Sequence, residues 1–114
     1  MFKFINSFRV ALLLGKAHKQ FENRRFDDAL ERALRAQQLP LTEQFEWLSY
    51  SIEGKSRCHL GDFENALPAL RRAESVLQPI LESKPESKHL HNIMNDIRAY
   101  IEKIEAAGEE NTND

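Results

Sequence analysis

Hydrophobic residues recur every three or four positions along most of the chain, the spacing that places them on one face of an α-helix. The pattern predicts a first helix over about 3–22, which residues 23–25 interrupt. A second helix begins near Phe26 and ends before Pro40, because proline cannot continue the backbone hydrogen bonding of a helix. No alternating run rich in Val, Ile and Thr indicates a strand. The chain is therefore predicted to be all-α.

Capping residues mark two further helices in the middle of the chain. Thr42 is expected to cap the third helix, Gly61 to end it and Asp62 to cap the fourth. Pro68 lies past the first turn of the fourth helix and should bend it there. Pro79 should kink or end the same helix.

The last helix has the most regular apolar spacing in the sequence. Residues 83–86 carry Ser and Glu three positions apart, the spacing of a capping box, and predict its start. Its apolar stripe consists of Leu90, Ile93, Met94, Ile97, Ile101 and Ile104. Gly108 is expected to end the helix, and residues 108–114 are predicted to be an acidic, disordered tail.

An internal repeat joins these elements. The block at 26–30, FDDAL, recurs at 63–67 as FENAL, and Arg-Ala at 35–36 recurs at 72–73. Both blocks are offset by 37 residues. A fixed period in this range indicates stacked helical units, each too thin to bury its own core.

The repeated pattern resembles the tetratricopeptide repeat. In the second unit Tyr50 stands at the Trp position of that family, Gly54 at the Gly position and Ala66 at the Ala position. Leu70 replaces the usual Phe, and Ala73 matches the later Ala. In the first unit the corresponding residues are Leu13, Ala17, Ala29, Ala33, Ala36 and Pro40. The small residues allow the two helices of a unit to approach closely where they cross.

The sequence also departs from the family pattern. Lys16 and Glu53 stand where the family has Leu, and Gln20 and Arg57 stand where it has Tyr. The step of 37 residues exceeds the usual length of about 34. This difference fits a lengthened loop around 41–44.

The resemblance implies antiparallel helix hairpins stacked as a short α-α superhelix of about five helices. It implies a single domain over 1–107, with repeats at about 10–43 and 47–80 and a capping helix at about 85–107. In such proteins the first helix of each repeat lines a concave groove that holds a peptide or a helix of a partner protein. A binding role without catalysis is the function that the resemblance implies.

Aligned positions in the resembling family give the candidate groove residues. They are Leu14, His18, Phe21, Ser51, Lys55, Cys58, Lys88, Asn92 and Asn95. His18, Lys55 and Asn92 follow one another at steps of 37 residues and form a polar, partly cationic line. Such a line could pair with a carboxylate or with peptide backbone. The competing interpretation is a solvated inner face without a ligand, and the family's carboxylate clamp of paired Lys and Asn with an Arg is not reproduced.

The first helix carries apolar residues around most of its circumference, whereas a terminal helix of a solenoid should have a polar outer face. We interpret Phe2, Phe4, Ile5, Phe8 and Leu12 as a self-association or partner face. Self-association through this face would make the protein a homodimer. Alternatively, these side chains fold back onto the isoleucine stripe of the last helix. The same segment could also serve a peripheral membrane adaptor as an interfacial helix.

Composition narrows the classes of function. A formal net charge of −2 provides no basic field for nucleic acid. Cys58 is the single cysteine, which excludes an intramolecular disulfide and a cysteine-based zinc site and fits a cytoplasmic protein. His89 and His91 are two positions apart on a helix and point to different faces, so no metal is expected. No cofactor motif or catalytic constellation is recognised, and no enzyme activity is expected.

Two alternatives concern the first helix and the type of partner. The run at 10–14 is shorter than the apolar stretch of an export signal and far shorter than a membrane span, so it is interpreted as part of the first helix. The expected function is therefore a cytoplasmic adaptor. The alternative function is a dedicated chaperone or neutralising partner of one secreted or toxic protein.

Overall fold

The computed structural model describes residues 2–112, and the side chains of residues 6–109. Within that range the chain forms five α-helices and no strand, so the all-α prediction is confirmed. The helices are α1 (Phe2–Glu22), α2 (Phe26–Ala36), α3 (Glu43–His59), α4 (Phe63–Ser83) and α5 (Lys88–Thr112).

The turn between α3 and α4 follows the sequence prediction. Gly61 has a φ of 84°, a left-handed conformation that glycine adopts without a steric penalty. Asp62 caps α4, because its carboxylate accepts a hydrogen bond from the backbone N–H of Asn65 at 3.4 Å. Thr42 precedes α3 as predicted, but its side chain makes no capping hydrogen bond.

The junction between α4 and α5 differs from the prediction. Helix α4 continues through Pro79 to Ser83, so Pro79 does not end it. The hydroxyl of Ser83 donates to the carbonyl of Ile80 at 2.7 Å. The cap of α5 is Ser87 instead, whose Oγ accepts a hydrogen bond from the backbone N–H of Leu90 at 3.2 Å. The predicted capping box at 83–86 is therefore wrong, because residues 84–86 form the turn before the helix.

The end of α5 also differs from the prediction. Gly108 lies inside the helix, which continues to Thr112. A glycine in a helix interior costs only about 1 kcal/mol relative to alanine, and the helix continues despite that cost. The prediction that Gly108 ends the helix is wrong, and 113–114 lie outside the described residues.

The helices are arranged in two rows. Each helix packs against the next one along the chain, and α3 also contacts both α1 and α5. Within the described residues α1 does not contact α5, and α2 does not contact α4. Helix α3 is therefore the floor between α1 and α5, while α2 and α4 lie behind this row.

Two hydrophobic clusters hold the rows together. Small residues dominate the cluster between α1, α2 and α3, whose buried members are Val10, Leu14, Ala17, Ala29, Ala33, Ala36 and Ile52. Larger residues dominate the cluster between α3, α4 and α5, whose buried members are Trp47, Ala66, Leu70, Ala73, Leu77, Leu81, Met94, Ile97, Ile101 and Ile104. Most of the apolar stripe of α5 is thus core and packs against α4 and α3, whereas Leu90 and Ile93 are only partly buried.

The crossing of α3 and α4 is close at Gly54. A Cβ atom on Gly54 would lie 2.5 Å from Leu70 Cγ and 3.1 Å from the carbonyl oxygen of Ala66. Both distances are shorter than ordinary van der Waals contact. Only glycine therefore fits at this crossing without moving α4 or repacking Leu70.

The two residues of α3 that differ from the tetratricopeptide pattern, Glu53 and Arg57, compensate each other. Glu53 is only 8% exposed, and its carboxylate accepts hydrogen bonds from Gln37 Nε2 and from Arg57 Nε, both at 2.9 Å. Arg57 also donates to Asp62 at 3.1 Å. A buried carboxylate needs such partners, so Glu53 and Arg57 form one structural unit that joins α3 to α2 and to the α4 cap.

Candidate partner-binding groove

A groove of about 470 Å³ lies between α1 and α5, with α3 as its floor. Its walls are Ala11, Leu14, Gly15 and His18 of α1 and His89, Ile93 and Asp96 of α5. Its floor consists of Gln44, Phe45, Trp47, Leu48, Ser51, Ile52 and Lys55 of α3. The groove exists because α3 separates two helices that do not touch each other.

The floor of the groove is mainly apolar. Phe45 and Leu48 are half-buried, and Ile52 is buried. Ser51 is 3% exposed, and within the described part of the chain its hydroxyl has no hydrogen-bond partner. The groove thus combines apolar surface with a hydroxyl that is free to bind a polar atom, the usual character of a recognition site.

The charged end of the groove is already neutralised. Lys55 Nζ lies 3.0 Å from Asp96 Oδ2, 4.9 Å from the centre of the Phe21 ring and 5.9 Å from that of Tyr100. The Lys55 side chain is only 16% exposed. His18 faces Glu22 at 2.6 Å on its own helix. A ligand carboxylate would have to compete with Asp96 for Lys55, which disfavours an acidic ligand at this end.

Aromatic side chains cluster next to Lys55. The His59 ring stacks on Phe26 with the ring centres 4.3 Å apart, and its Nε2 lies 2.8 Å from the Tyr100 hydroxyl. Phe21 contacts the edges of both Phe26 and His59. Burial lowers the pKa of His59, and the cations Arg24, Lys103 and Lys55 lower it further. The cluster links α1, α2, α3 and α5 beyond the polar end of the groove.

The structure brings together most of the predicted groove residues on α1 and α3. Leu14, His18, Ser51 and Lys55 line the groove, and Phe21 adjoins it through its contact with Lys55.

Cys58 lies farther along α3 and does not line the groove. It is half-buried against the cluster of α3, α4 and α5. Burial raises the pKa of its thiol, and nearby Lys103 opposes that shift. The raised pKa agrees with a packing role rather than a nucleophilic one.

The predicted groove residues on α5 do not line it. Lys88, Asn92 and Asn95 are exposed, and each lies one position before a lining residue. One position is about 100° around a helix, so these side chains point to a different face. Lys55 pairs with Asp96, and His59 with Tyr100, at separations of 41 residues, so α5 is placed in a different register from the 37-residue step of the repeat.

The predicted self-association face is exposed where the structure describes it. Phe8 is 63% exposed and Leu12 is 51% exposed. They do not fold back onto the isoleucine stripe, because α1 and α5 make no contact in the described residues. The remaining members, Phe2, Phe4 and Ile5, lie outside the residues whose side chains are described.

Sequence reasoning missed four apolar residues that line the groove, Phe45, Trp47, Leu48 and Ile93. Each belongs to a helical apolar stripe, which was the available signal. A stripe does not show whether its edge faces the core or an open groove, so the signal was not sufficient.

The described residues contain no group of three or more His, Cys, Asp and Glu that could hold a metal ion. The Nε2 atom of His91 lies 2.7 Å from the carbonyl oxygen of Pro85, whereas His89 faces the groove. Among the helices in that range, none combines the length and the apolar character needed to cross a membrane.

Comparisons with known proteins returned no match to a family model, to a curated protein or to a solved structure. The tetratricopeptide resemblance therefore rests on the sequence pattern alone.

Proposed function

We propose that this protein is a non-catalytic interaction module that binds an amphipathic helix of a partner protein in the groove between α1 and α5. The observation that supports this function is the open, mainly apolar floor formed by α3. Apolar grooves between helices accept the apolar face of a further helix, which inserts side chains at positions i, i+3 or i+4 and i+7.

The charge distribution favours an apolar ligand face over an acidic peptide. Lys55 and Asp96 satisfy each other, and Phe21 and Tyr100 cover the Lys55 ammonium group. Binding must therefore rely on apolar burial. Three inserted side chains would contribute roughly 5–8 kcal/mol before the cost of association. The Ser51 hydroxyl would add a polar contact that fixes the position of the ligand.

The tetratricopeptide resemblance supports the same function, because in that family the first helices of the repeats line a ligand groove, and in this chain α3 packs between α1 and α5. We propose a cytoplasmic adaptor, a location that fits a chain with the single cysteine Cys58.

The test blocks the groove with a side chain that the fold tolerates. Ala11 is exposed and lines the groove, so Ala11→Arg should fill the groove without disturbing the core. Ala106 is exposed on α5 away from the groove, so Ala106→Arg is the matched control. Each tagged protein is used at low concentration to capture partners from its native lysate, and circular dichroism verifies that both variants are folded.

The function is supported if Ala11→Arg loses a stoichiometric partner that Ala106→Arg retains. The partner must also slow amide exchange in α1, α3 and α5 of the wild type. Equal capture by both variants would contradict a groove site and would place the partner on another surface.

A further inference from the structure

The turns within the two hairpins share a backbone conformation but differ in their residues. Arg24 has a φ of 64°, and Gly61, which stands 37 residues later, has a φ of 84°. The N–H of Arg24 donates to the carbonyl of Phe21 at 3.0 Å, and the N–H of Gly61 donates in the same way to Cys58 at 3.1 Å. A left-handed conformation carries a steric cost for a residue with a Cβ atom and none for glycine. The turn itself therefore gives no reason for an arginine at position 24.

The side chain of Arg24 lies at one end of a row of aromatic rings. Its Cζ atom is 5.7 Å from the centre of the Phe26 ring, on which His59 stacks. The Nε2 atom of His59 in turn lies 2.8 Å from the Tyr100 hydroxyl. Tyr100 and Lys103 line one cavity of about 240 Å³ on α5. Arg24 and Lys103 are therefore the cations at the two ends of this row.

The charges at both ends of the row lack an acidic partner. Within the described residues Arg24 and Lys103 form no ion pair, and both are exposed. Lys55 differs from them, because it pairs with Asp96 at 3.0 Å. Burial lowers the pKa of His59, and three cations lower it further, Arg24, Lys103 and Lys55. The row of rings thus lies in a positive field that an anion would offset.

A phosphate monoester is the ligand that matches this arrangement. It carries about −1.5 to −2 charges at pH 7 and three acceptor oxygens, so it can use both cations, whereas a carboxylate matches only one. A guanidinium binds phosphate through two parallel hydrogen bonds, and an ammonium group binds it as a point charge. Asp96, the carboxylate that lines the cavity, is held by Lys55. A phosphate at Arg24 and Lys103 therefore does not have to displace an ion pair, unlike a carboxylate at Lys55.

We propose that Arg24, Lys103 and the Tyr100 hydroxyl bind a phosphate group on a side chain of the partner helix, a site that rests on the proposed function of the groove. The site continues the groove, because Lys55 lines the groove and its Nζ lies 5.9 Å from the centre of the Tyr100 ring. The bound anion favours a protonated His59, whose Nε2–H then donates to the Tyr100 oxygen. The Tyr100 O–H is then free to donate to the phosphate. Phosphorylation of the partner thus strengthens its binding in the groove.

The first test measures the site with inorganic phosphate as the probe. Phosphate is added to the full chain at an ionic strength held constant with sodium chloride, and NMR spectra follow the binding. The wild type should bind with a Kd on the order of millimolar, and the pKa of His59 should rise relative to chloride alone. Lys103→Gln should raise the Kd at least about fivefold. Arg9→Gln, which removes the same charge from an exposed position toward the other end of α1, should leave the Kd unchanged.

A further variant separates binding from folding. Arg24→Gly gives this turn the residue that the other turn has, so its midpoint of urea unfolding should be at least that of the wild type. The same variant should raise the Kd for phosphate at least about fivefold, because the guanidinium is lost. No saturable binding of phosphate by the wild type would overturn the site, and so would an unchanged Kd in Arg24→Gly. A midpoint well below that of the wild type would show that the arginine serves the turn instead.

The source of the phosphate is tested by capture from the native lysate before and after treatment with a phosphatase. The treatment should reduce capture of the groove partner, the protein lost through Ala11→Arg, at least about fivefold, and Arg24→Gly should capture little of it from either lysate. Equal capture from both lysates would contradict a phosphate on the partner and would assign the site to a free phosphate compound. None of these results affects the groove, which Ala11→Arg tests independently. Phosphate binding without any partner lost through Ala11→Arg would contradict the proposed function while supporting the anion site.

Discussion

The two helix hairpins come from the same repeat, but they fill the helix crossing in different ways. The α1–α2 hairpin has Ala17 and Ala33 at the positions where the α3–α4 hairpin has Gly54 and Leu70, 37 residues later. All four residues are buried. Two alanine side chains fill the crossing in the first hairpin. In the second hairpin Leu70 fills it, because Gly54 has no side chain. Gly54 and Leu70 together carry four side-chain carbon atoms, and Ala17 and Ala33 carry two, so the repeat keeps a close crossing without keeping the residue sizes or their sum.

The hairpins also differ in what covers them. Helix α4 has 21 residues and packs against α5, whereas α2 has only 11 residues. The N-terminal part of α1 therefore extends beyond its own hairpin partner, and Phe8 and Leu12 remain exposed. Exposure depends on the neighbouring helix, which the repeat does not encode.

The largest effect is expected at the crossing of the second hairpin. Leu70→Ala should lower the free energy of unfolding by about 2–5 kcal/mol, because Leu70 is fully buried. Gly54→Ala should lower it by about 1–2 kcal/mol, since overpacking against Leu70 outweighs the gain in helix propensity. The double variant recreates the alanine pair of the first hairpin. Its loss should be smaller than the sum of the single losses by at least about 1 kcal/mol.

Urea denaturation of the three variants and the wild type measures this coupling. The reverse exchange, Ala17→Gly/Ala33→Leu, provides the matched control in the first hairpin. If the losses in the free energy of unfolding add strictly in both hairpins, the two residues at each crossing do not influence each other's packing.

The second largest effect concerns the buried ion pair of Glu53 and Arg57 in the second hairpin. Arg57→Met should lower the free energy of unfolding by about 2–3 kcal/mol, because it leaves the Glu53 carboxylate buried without its cation. The double variant Glu53→Leu/Arg57→Tyr replaces the ion pair by the Leu and Tyr of the tetratricopeptide pattern. It should change the free energy of unfolding by less than about 1 kcal/mol. Thermal unfolding monitored by circular dichroism compares the variants. A double variant as unstable as Arg57→Met would contradict the interpretation of the pair as a replaceable unit.

A smaller difference separates the equivalent phenylalanines at the start of α2 and α4. Phe26 is half-buried and stacks on His59, whereas Phe63 is 43% exposed. Phe26→Ala should therefore cost about 1–2 kcal/mol more stability than Phe63→Ala. Chemical denaturation of both variants gives the difference. Equal losses would mean that the aromatic cluster around His59 adds no stability to the first hairpin.

The smallest expected effect is a pH dependence that arises at His59. Its pKa is lowered from the ordinary 6.5 by burial and by the cations Arg24, Lys103 and Lys55. The unfolded chain therefore binds the proton more readily than the folded chain. The stability that depends on a neutral His59 is fully present above pH 6.5 and is lost as the pH falls from 6.5 to the lower pKa that His59 has in the folded chain.

The effect is small because His59 is mostly exposed. His59→Phe keeps a ring on Phe26 and removes the titration. We measure the midpoint of urea unfolding of the wild type and of His59→Phe between about pH 5 and 8. Above about pH 7 the two midpoints should change with pH in the same way, and below pH 6.5 the midpoint of the wild type should fall more steeply. If the midpoint of His59→Phe falls below pH 6.5 as steeply as that of the wild type, His59 is not the source of the pH dependence.

The sequence predicted the local features that depend on near neighbours. Helix content follows from apolar spacing, the α3–α4 turn from Gly61 and Asp62, and the small residue at the crossing from the resemblance at Gly54. Each of these features is determined within a few turns of chain or by a repeated pattern. The wrong helix ends at Gly108 and at 83–86 arose where several residues could serve as caps or stops and packing selected among them.

The tertiary structure decided which face of α5 meets the groove and whether the groove's charges are free. Helix α5 lies outside the repeated blocks, and α4 is ten residues longer than α2, so a 37-residue step does not predict the pairing of Lys55 with Asp96. The amino-acid sequence by itself determined the five helices and their repeat, because those depend on spacing along the chain. The groove depended on how α3 holds α1 and α5 apart, because the position of a helix is set by the summed packing of its neighbours.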